Sequence, residues 1–347
     1  MKNQLIITLF GLLLLAAACQ KSEYYTEGDF YYLSHKGAKL PVWVKGNMES
    51  DVMLIFVHGG PGDSGLTFTI TSGFNMLEED YMIVYWDQRF SGMDQGNSDF
   101  ADMHPDVFIE DTEKLVQLIQ NKYPGKKLFM MGHSWGGQLS AGYLGRDNHA
   151  SAFHGWIDLD GSIYAEMEAQ LMKEYILERV PAKLAEPGAD KAFWQDIIDW
   201  YEENPNPGNY TDFEPYWYVS ALGGDVYDHE TYNEKLDIPY VDLLFKSMFS
   251  LSYYQYSFGD PEDIKEWDDI DYTEEIGNMT IPALLLWGAN DGVVPVKVAD
   301  YVYEHLGTDP SEKEVVLIPE CGHGPHVEHP ELFYAEVSAF IETYKNN

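Results

Sequence analysis

The sequence predicts an α/β protein with a mostly parallel central sheet, helices on both faces, and a helical cap inserted before the last two strands. Three observations carry this. Continuous apolar runs end, one after another, in polar glycine-rich loops, as strands buried on both faces do. Stretches with helical spacing separate those runs. One long segment, from Ser162 to about Asn278, breaks the alternation and carries no clean strand signal.

The chain opens on "MKNQLIITLFGLLLLAAACQ". Lys2 precedes an apolar run from Leu5 to Leu15, followed by three small residues and Cys19. The run is short for a membrane span and has the layout of a secretory signal. A cysteine directly after small residues resembles a bacterial lipobox. That resemblance implies cleavage before Cys19, lipidation of its thiol, and a place in the bacterial cell envelope with the lipid as the only membrane attachment. Residues 1–19 are thus read as a leader and 20–28 as a linker. Cys321 is then left without a disulfide partner and is expected to be a buried free thiol.

"DFYYLS" and "KLPVWVKG" read as two strands joined by a turn at Lys36–Gly37. "VMLIFVHGGPG", "YMIVYWDQR", "KLFMMGHS", "GWIDLDG", "IPALLLWGAND" and "KEVVLIPECGH" are the buried runs. Between them, Phe108, Thr112, Leu115 and Ile119 follow helical spacing after Pro105, and the stretches from Pro295 to Leu306 and from Pro330 to Tyr344 are also helical. The core is assigned to residues 29–161 and 279–347 and the cap to 162–278. Within the cap, "DKAFWQDIIDWYEEN" puts Phe193, Ile197, Trp200 and Tyr201 on one helical face, and "YVDLLFKSMFSLSYY" is a second helix candidate. The cap carries about four acidic residues for every basic one.

Charge narrows the partners. With 58 acidic and 21 basic residues the formal net charge is −37. Phosphate backbones would be repelled, which argues against nucleic acid, and cationic ligands would be attracted.

Four loops follow buried runs and so reach the same sheet edge, where ligands bind in open α/β sheets. "GHSWGG" places Ser134 between glycines, after a strand and before a helix, the setting of a nucleophile on a sharp turn. The Trp135 amide at that helix start can donate to an oxyanion. "HGGPG" supplies a second donor, Gly60 in preference to Gly59 because Pro61 has no N–H; His58 is read as a structural hydrogen-bonding residue. "WGANDGVVP" offers Asp291 as the acid that orients an imidazole, with Asp160 of "DLDG" as its rival. "PECGHGPHVEHP" offers His323 as the base, with His326 and His329 as rivals. The histidines at 323, 326 and 329 lack the helix spacing or paired cysteines of a metal site, so no metal or cofactor is expected.

The order Ser134, Asp291, His323 is that of the α/β-hydrolases. "HGGPG", "WDQR", "GHSWGG", the inserted cap, "WGANDGVVP" and the late "GH" resemble the proline iminopeptidase branch of that superfamily, from about Phe30 to the C-terminus. The resemblance implies a serine aminopeptidase that removes an N-terminal residue, often proline, from short peptides, with acidic groups of the cap holding the free amine. A carboxylester hydrolase acting on small acyl esters is the alternative. The chain departs from the branch at Phe90 after "DQR" and at His133 before Ser134; neither departure harms the triad. Asp87 and Arg89 are expected to form a structural ion pair below the site.

Overall fold

The computed structural model describes residues 28–229, 232 and 265–347. The leader, Cys19 and the helix expected in "YVDLLFKSMFSLSYY" lie outside the described residues. Strands β1 (Asp29–His35) and β2 (Ala38–Gly46) form the expected antiparallel hairpin. They are followed by β3 (Val52–Val57), β4 (Met82–Trp86), β5 (Gln95–Gly96), β6 (Lys127–His133), β7 (Gly155–Leu159), β8 (Ala283–Gly288) and β9 (Lys313–Ile318). The six apolar runs are β3, β4, β6, β7, β8 and β9; the first five are buried as expected, whereas β9, at the edge of the sheet, is half-buried or exposed along most of its length. The sheet order is β1-β2-β4-β3-β6-β7-β8-β9, with β5 pairing β2. The six run as one parallel block, and the antiparallel pairs are confined to the β1, β2 and β5 edge.

Strand alternation sorts the core into two layers. On β2, β3 and β4, Val42, Val44, Met53, Ile55, Met82 and Val84 face one layer, while Trp43, Leu54, Phe56, Ile83 and Tyr85 face the other. Helix α1 (Ser72–Asp80) covers the second layer through Phe74 and Leu77. Helices α2 (Pro105–Lys122) and α3 (Trp135–Leu144) cover the first through Phe108, Leu115, Ile119 and Leu139.

Helices α4 (Ala165–Ala185), α5 (Lys191–Glu203) and α6 (Glu214–Ala221) follow β7. They enclose a small core of their own around Met172, Ile176, Ile197 and Val219. The face of α5 differs from the expected one. Trp194, Ile197 and Tyr201 are buried, whereas Phe193 is 39% exposed. Spacing i, i+3, i+7 from Trp194 is the stripe that meets α4 and α6, and Phe193 lies one position off it.

The chain then passes α7 (Thr273–Asn278), β8, α8 (Lys297–His305), β9, α9 (Pro325–Glu328) and α10 (Pro330–Tyr344). Helix α10 closes the second layer with Phe333, Val337, Phe340 and Ile341, so helices flank both faces of the sheet. Among the described residues no helix is long and apolar enough to cross a membrane.

Candidate active site

Ser134 sits at φ 57°, ψ −126°, between β6 and α3. A non-glycine residue there costs roughly 1–3 kcal/mol, so its surroundings must hold it. They do so through three hydrogen bonds and two closely packed glycines. The Ser134 N–H donates to the Leu159 carbonyl at 3.1 Å, and its own carbonyl accepts from Gly137 at 2.8 Å and Ser162 at 3.0 Å. A Cβ on Gly136 would lie 2.0 Å from the Val57 carbonyl oxygen, and one on Gly132 would lie 2.2 Å from that of Gly136. Only bare backbone lets β3, β6 and α3 approach this closely.

Asp291 and His323 are brought together from the loops after β8 and β9. His323 Nδ1 lies 2.7 Å from Asp291 Oδ2. Asp291 Oδ1 accepts from the backbone N–H groups of Val293 at 2.8 Å and Val294 at 3.1 Å, which fixes the carboxylate. His323 Nε2 is buried and makes no hydrogen bond among the described residues, Ser134 included. Such contacts often tighten only when substrate binds. Burial pushes the His323 imidazole down to about 4, opposed by the charges of Asp225 and Glu328.

The rivals separate on geometry. His326 packs against Phe68 and Phe74, and His329 Nε2 meets the Glu320 carbonyl at 3.0 Å. Of the three, His323 is the one hydrogen-bonded to the acid. Asp160, the alternative acid, accepts from the Gly288 N–H at 2.8 Å and contacts Asp291 itself.

The two expected oxyanion donors face one cavity: Gly60, Ser134 and Trp135 share its wall. Trp135 N–H opens α3 and has no acceptor within the helix. Gly59 lies just behind; a Cβ there would stand 3.1 Å from that of Ser134. Gln88 of "WDQR" couples the two loops. Its amide donates to the His58 carbonyl at 2.8 Å, and its Oε1 accepts from the Trp135 indole at 2.9 Å. His58 Nε2 accepts from the Gln88 N–H, so Nδ1 carries the proton and donates to the Gly59 carbonyl at 2.8 Å. His58 is structural, as expected.

The expected Asp87–Arg89 pair does not form. Asp87 accepts from Ser64 Oγ and from the backbone of Gly65 and Met93, tying the loop after "HGGPG" to the loop after β4. Arg89 turns the other way and makes a two-pronged bond to buried Asp111, at 2.6 and 2.9 Å. Strand β4 ends at Trp86, so Asp87 and Arg89 lie in the loop beyond it and take separate partners, with α2 supplying the carboxylate that Arg89 meets.

Residues 52–330 match the alpha/beta hydrolase fold family. The chain belongs to that family. It is 22% identical over 306 residues to the probable aminopeptidase YbaC of Bacillus subtilis, covering 87% of this chain and 92% of that one. It is 23% identical over 307 residues to the proline iminopeptidase of Lactobacillus crispatus, covering 87% and 94%. A proline iminopeptidase-related protein of Thermus thermophilus shares the fold with a TM-score of 0.63 at 19% identity, over 92% of this chain and 99% of its own. This α/β-hydrolase is therefore proline iminopeptidase-like along most of its length.

Two cavities flank its Ser134–His323 line. The first, about 330 Å³, adds Glu168, Asn209, Tyr210, Phe213, Tyr216, Trp217 and Asp225 to the oxyanion residues. The second, about 350 Å³, is lined by His323, His133, His326, Asp63 and Phe68, and Asp225 borders both. Glu168 is fully engaged: Oε1 accepts from Ile163 and Tyr164, Oε2 from Ser162 and Asn209, and burial lifts its carboxyl to about 7.

His133, seen in the sequence only as a departure from the branch, packs its ring 4.8 Å from that of His323, with Nε2 3.0 Å from the His323 carbonyl. His133, Asp160 and His323 bring one ligand atom each within 4.8 Å of one another, a spacing that could take a metal ion. His323 Nδ1 is held by Asp291, which leaves Nε2 as the nitrogen of that ring open to an ion and also the one that faces a proton relay, so an ion there would compete with the relay. Asp225 and Glu168 were not singled out because the cap sequence is uniformly acidic and offers no local signal to rank its carboxylates.

Proposed function

We propose that this chain is a serine hydrolase acting outside the cytoplasm, and most specifically an aminopeptidase that removes N-terminal residues from short peptides. The observation that carries this is the 2.7 Å His323–Asp291 bond at the sheet edge where Ser134 is held in a left-handed turn. Ser134 Oγ attacks the scissile carbonyl as His323 Nε2 takes its proton, and Asp291 stabilises the imidazolium. The amides of Trp135 and Gly60 hold the oxyanion. His323 then protonates the leaving amine, and water releases the acyl group from Ser134 by the same relay.

The first cavity supports the peptidase reading because it offers carboxylate charge beside an apolar wall. Glu168 has its oxygens committed, so Asp225, half-buried between the two cavities, is the carboxylate we assign to the substrate ammonium. The residue whose carbonyl is attacked fills the first cavity, and the leaving peptide enters the second.

A paired comparison tests this. kcat/KM of a free-amine prolyl or alanyl amide should exceed that of its N-acetylated form about 10- to 150-fold, the weight of one charge-assisted hydrogen bond. Asp225→Asn should erase most of that ratio. Equal values for the pair would favour the esterase reading, which the aromatic walls of Phe213, Tyr216 and Trp217 also suit by offering a bed for an acyl chain.

The envelope location rests on the lipobox. Cys19→Ala should release the protein from membranes with its rate unchanged, since lipid chains supply the affinity. A variant still bound to membranes would count against lipidation.

A further inference from the structure

Two buried carboxyls meet behind the base. Asp160 follows β7 and Asp291 follows β8, and the parallel register Leu159↔Leu286 brings their loops level. Asp160 is held at φ 46°, with its N–H on the Leu286 carbonyl and its Oδ1 accepting from Gly288 at 2.8 Å. It has no solvent exposure. Among the described residues its Oδ2 finds no N–H or O–H donor, and its carboxyl meets the carboxyl of Asp291. Asp291 in turn uses Oδ1 for two backbone amides and Oδ2 for His323. Carboxylates in contact away from water cannot both be ionised, so the pair must hold a proton.

We propose that Asp160 is a positioning residue of the triad: it keeps its carboxyl proton and donates it as a hydrogen bond to Asp291, so that the pair presents one negative charge, in one orientation, to His323. This rests on the serine-hydrolase reading. The site says which partner holds the proton. Asp291 is surrounded by donors that favour its charged form, whereas Asp160 has a single backbone donor. Burial lifts both carboxyls well above the ordinary range; the charges of Asp291 and Glu328 lift Asp160 further, whereas the amides of Val294 and Val293 and the bond from Asp160 oppose the rise at Asp291. The other titratable groups around Asp160 are Asp158 on its own strand, Cys321 after β9, and the imidazoles of His133 and His323. The acids among them favour a protonated neighbour. During catalysis the Asp160 proton stays in place; only the Ser134 proton moves, to His323 and then to the leaving group.

The test compares wild type with Asp160→Asn and Asp160→Ala by the rate at which a fluorophosphonate labels Ser134 across pH, which needs no knowledge of the natural substrate. Asparagine keeps a donor toward Asp291 and an acceptor for Gly288, so labelling should stay within about threefold of wild type, with its pH midpoint in place. Alanine removes the donor, so the rate should fall about 10- to 100-fold and the acid limb should move to higher pH, because an unsupported Asp291 holds protons more readily. An alanine variant that reacts at the wild-type rate and midpoint would overturn the proposal. So would an asparagine variant as impaired as alanine, since that would mean Asp160 works as an anion.

If the alanine variant does not fold, infrared spectra of wild type and Asp160→Asn at neutral pH decide. One protonated-carboxyl stretch should be lost in the variant, and identical carboxyl bands would refute the proposal. Failure of wild type to label at Ser134 would count against the nucleophile instead, and the infrared comparison would still judge Asp160.

Discussion

The backbone N–H of His323 donates to the carbonyl of Asp225 at 2.8 Å, so the base loop of the core is pinned to the cap. The same cap segment reaches the acid loop, where Gly292 N–H meets the Gly224 carbonyl at 3.0 Å and the Asn290 side chain meets that of Gly223 at 2.7 Å. Glu328 adds a brace, accepting from Gly322 through Oε1 and from Tyr227 through Oε2, each at 2.8 Å. The cap is thus hydrogen-bonded to the loop of His323 and to the loop of Asp291.

Glu328→Gln tests that coupling. One acceptor oxygen becomes an amide donor facing an N–H, so one of the two braces is lost. Activity should fall about tenfold, the weight of one hydrogen bond to a charged group. The fall should appear in kcat more than in KM, since Glu328 lines neither cavity. Steady-state kinetics on any good substrate would show it, and unchanged kcat would mean that the base loop is held without this brace.

Ser134 offers a separation of function from stability. Ser134→Ala and Ser134→Gly should both abolish hydrolysis. The glycine variant should also be more stable than the alanine variant, by roughly 1 kcal/mol or more, because the φ of 57° strains any side chain with a Cβ. Thermal unfolding of the two inactive variants measures this directly, and equal Tm values would show that the turn carries no strain.

The acid limb of activity should lie low. His323 works as a base only when neutral, and burial pushes it down to about 4. The midpoint of the limb in kcat/KM should therefore fall below the ordinary histidine value of 6.5. Asp225 opposes the burial effect, so Asp225→Asn should move the limb lower still. A wild-type midpoint at or above 6.5 would contradict the burial seen for this ring.

Asp158 should be a site of pH-dependent instability. It lies on β7 with no exposure, and both its oxygens lack hydrogen-bond partners among the described residues. Burial, helped by the neighbouring Glu168 carboxylate, raises its carboxyl well above the ordinary range. For a folded-state value above the unfolded one, the unfolded chain releases its proton first as pH rises. Stability is then fully present below 3.8 and declines as pH climbs toward the folded value. Asp158→Asn removes that titration, so the stability gap between variant and wild type should widen with pH by up to about 1.4 kcal/mol per unit. Denaturant unfolding at several pH values would reveal a constant gap if Asp158 were ionised throughout.

Much of this protein was legible because local chemistry fixes it. Apolar runs that end in glycine-rich loops read as strands, five of the six covered on both faces, and Gly132, Gly136 and Gly137 around Ser134 mark a backbone crossing that no Cβ allows. Those signals are contiguous in the chain, so the sheet and the elbow at Ser134 could be read from sequence. Selection among like residues could not. Whether Asp160 or Asp291 reaches the imidazole, whether Arg89 turns to Asp87 or Asp111, and which cap carboxylate borders the site depend on distances between loops far apart in sequence. The tertiary structure decided those: it set Asp291 on His323, gave Arg89 to a helix carboxylate, and placed Asp225 between the two cavities, because electrostatic partnership falls off over a few ångströms that sequence spacing does not encode.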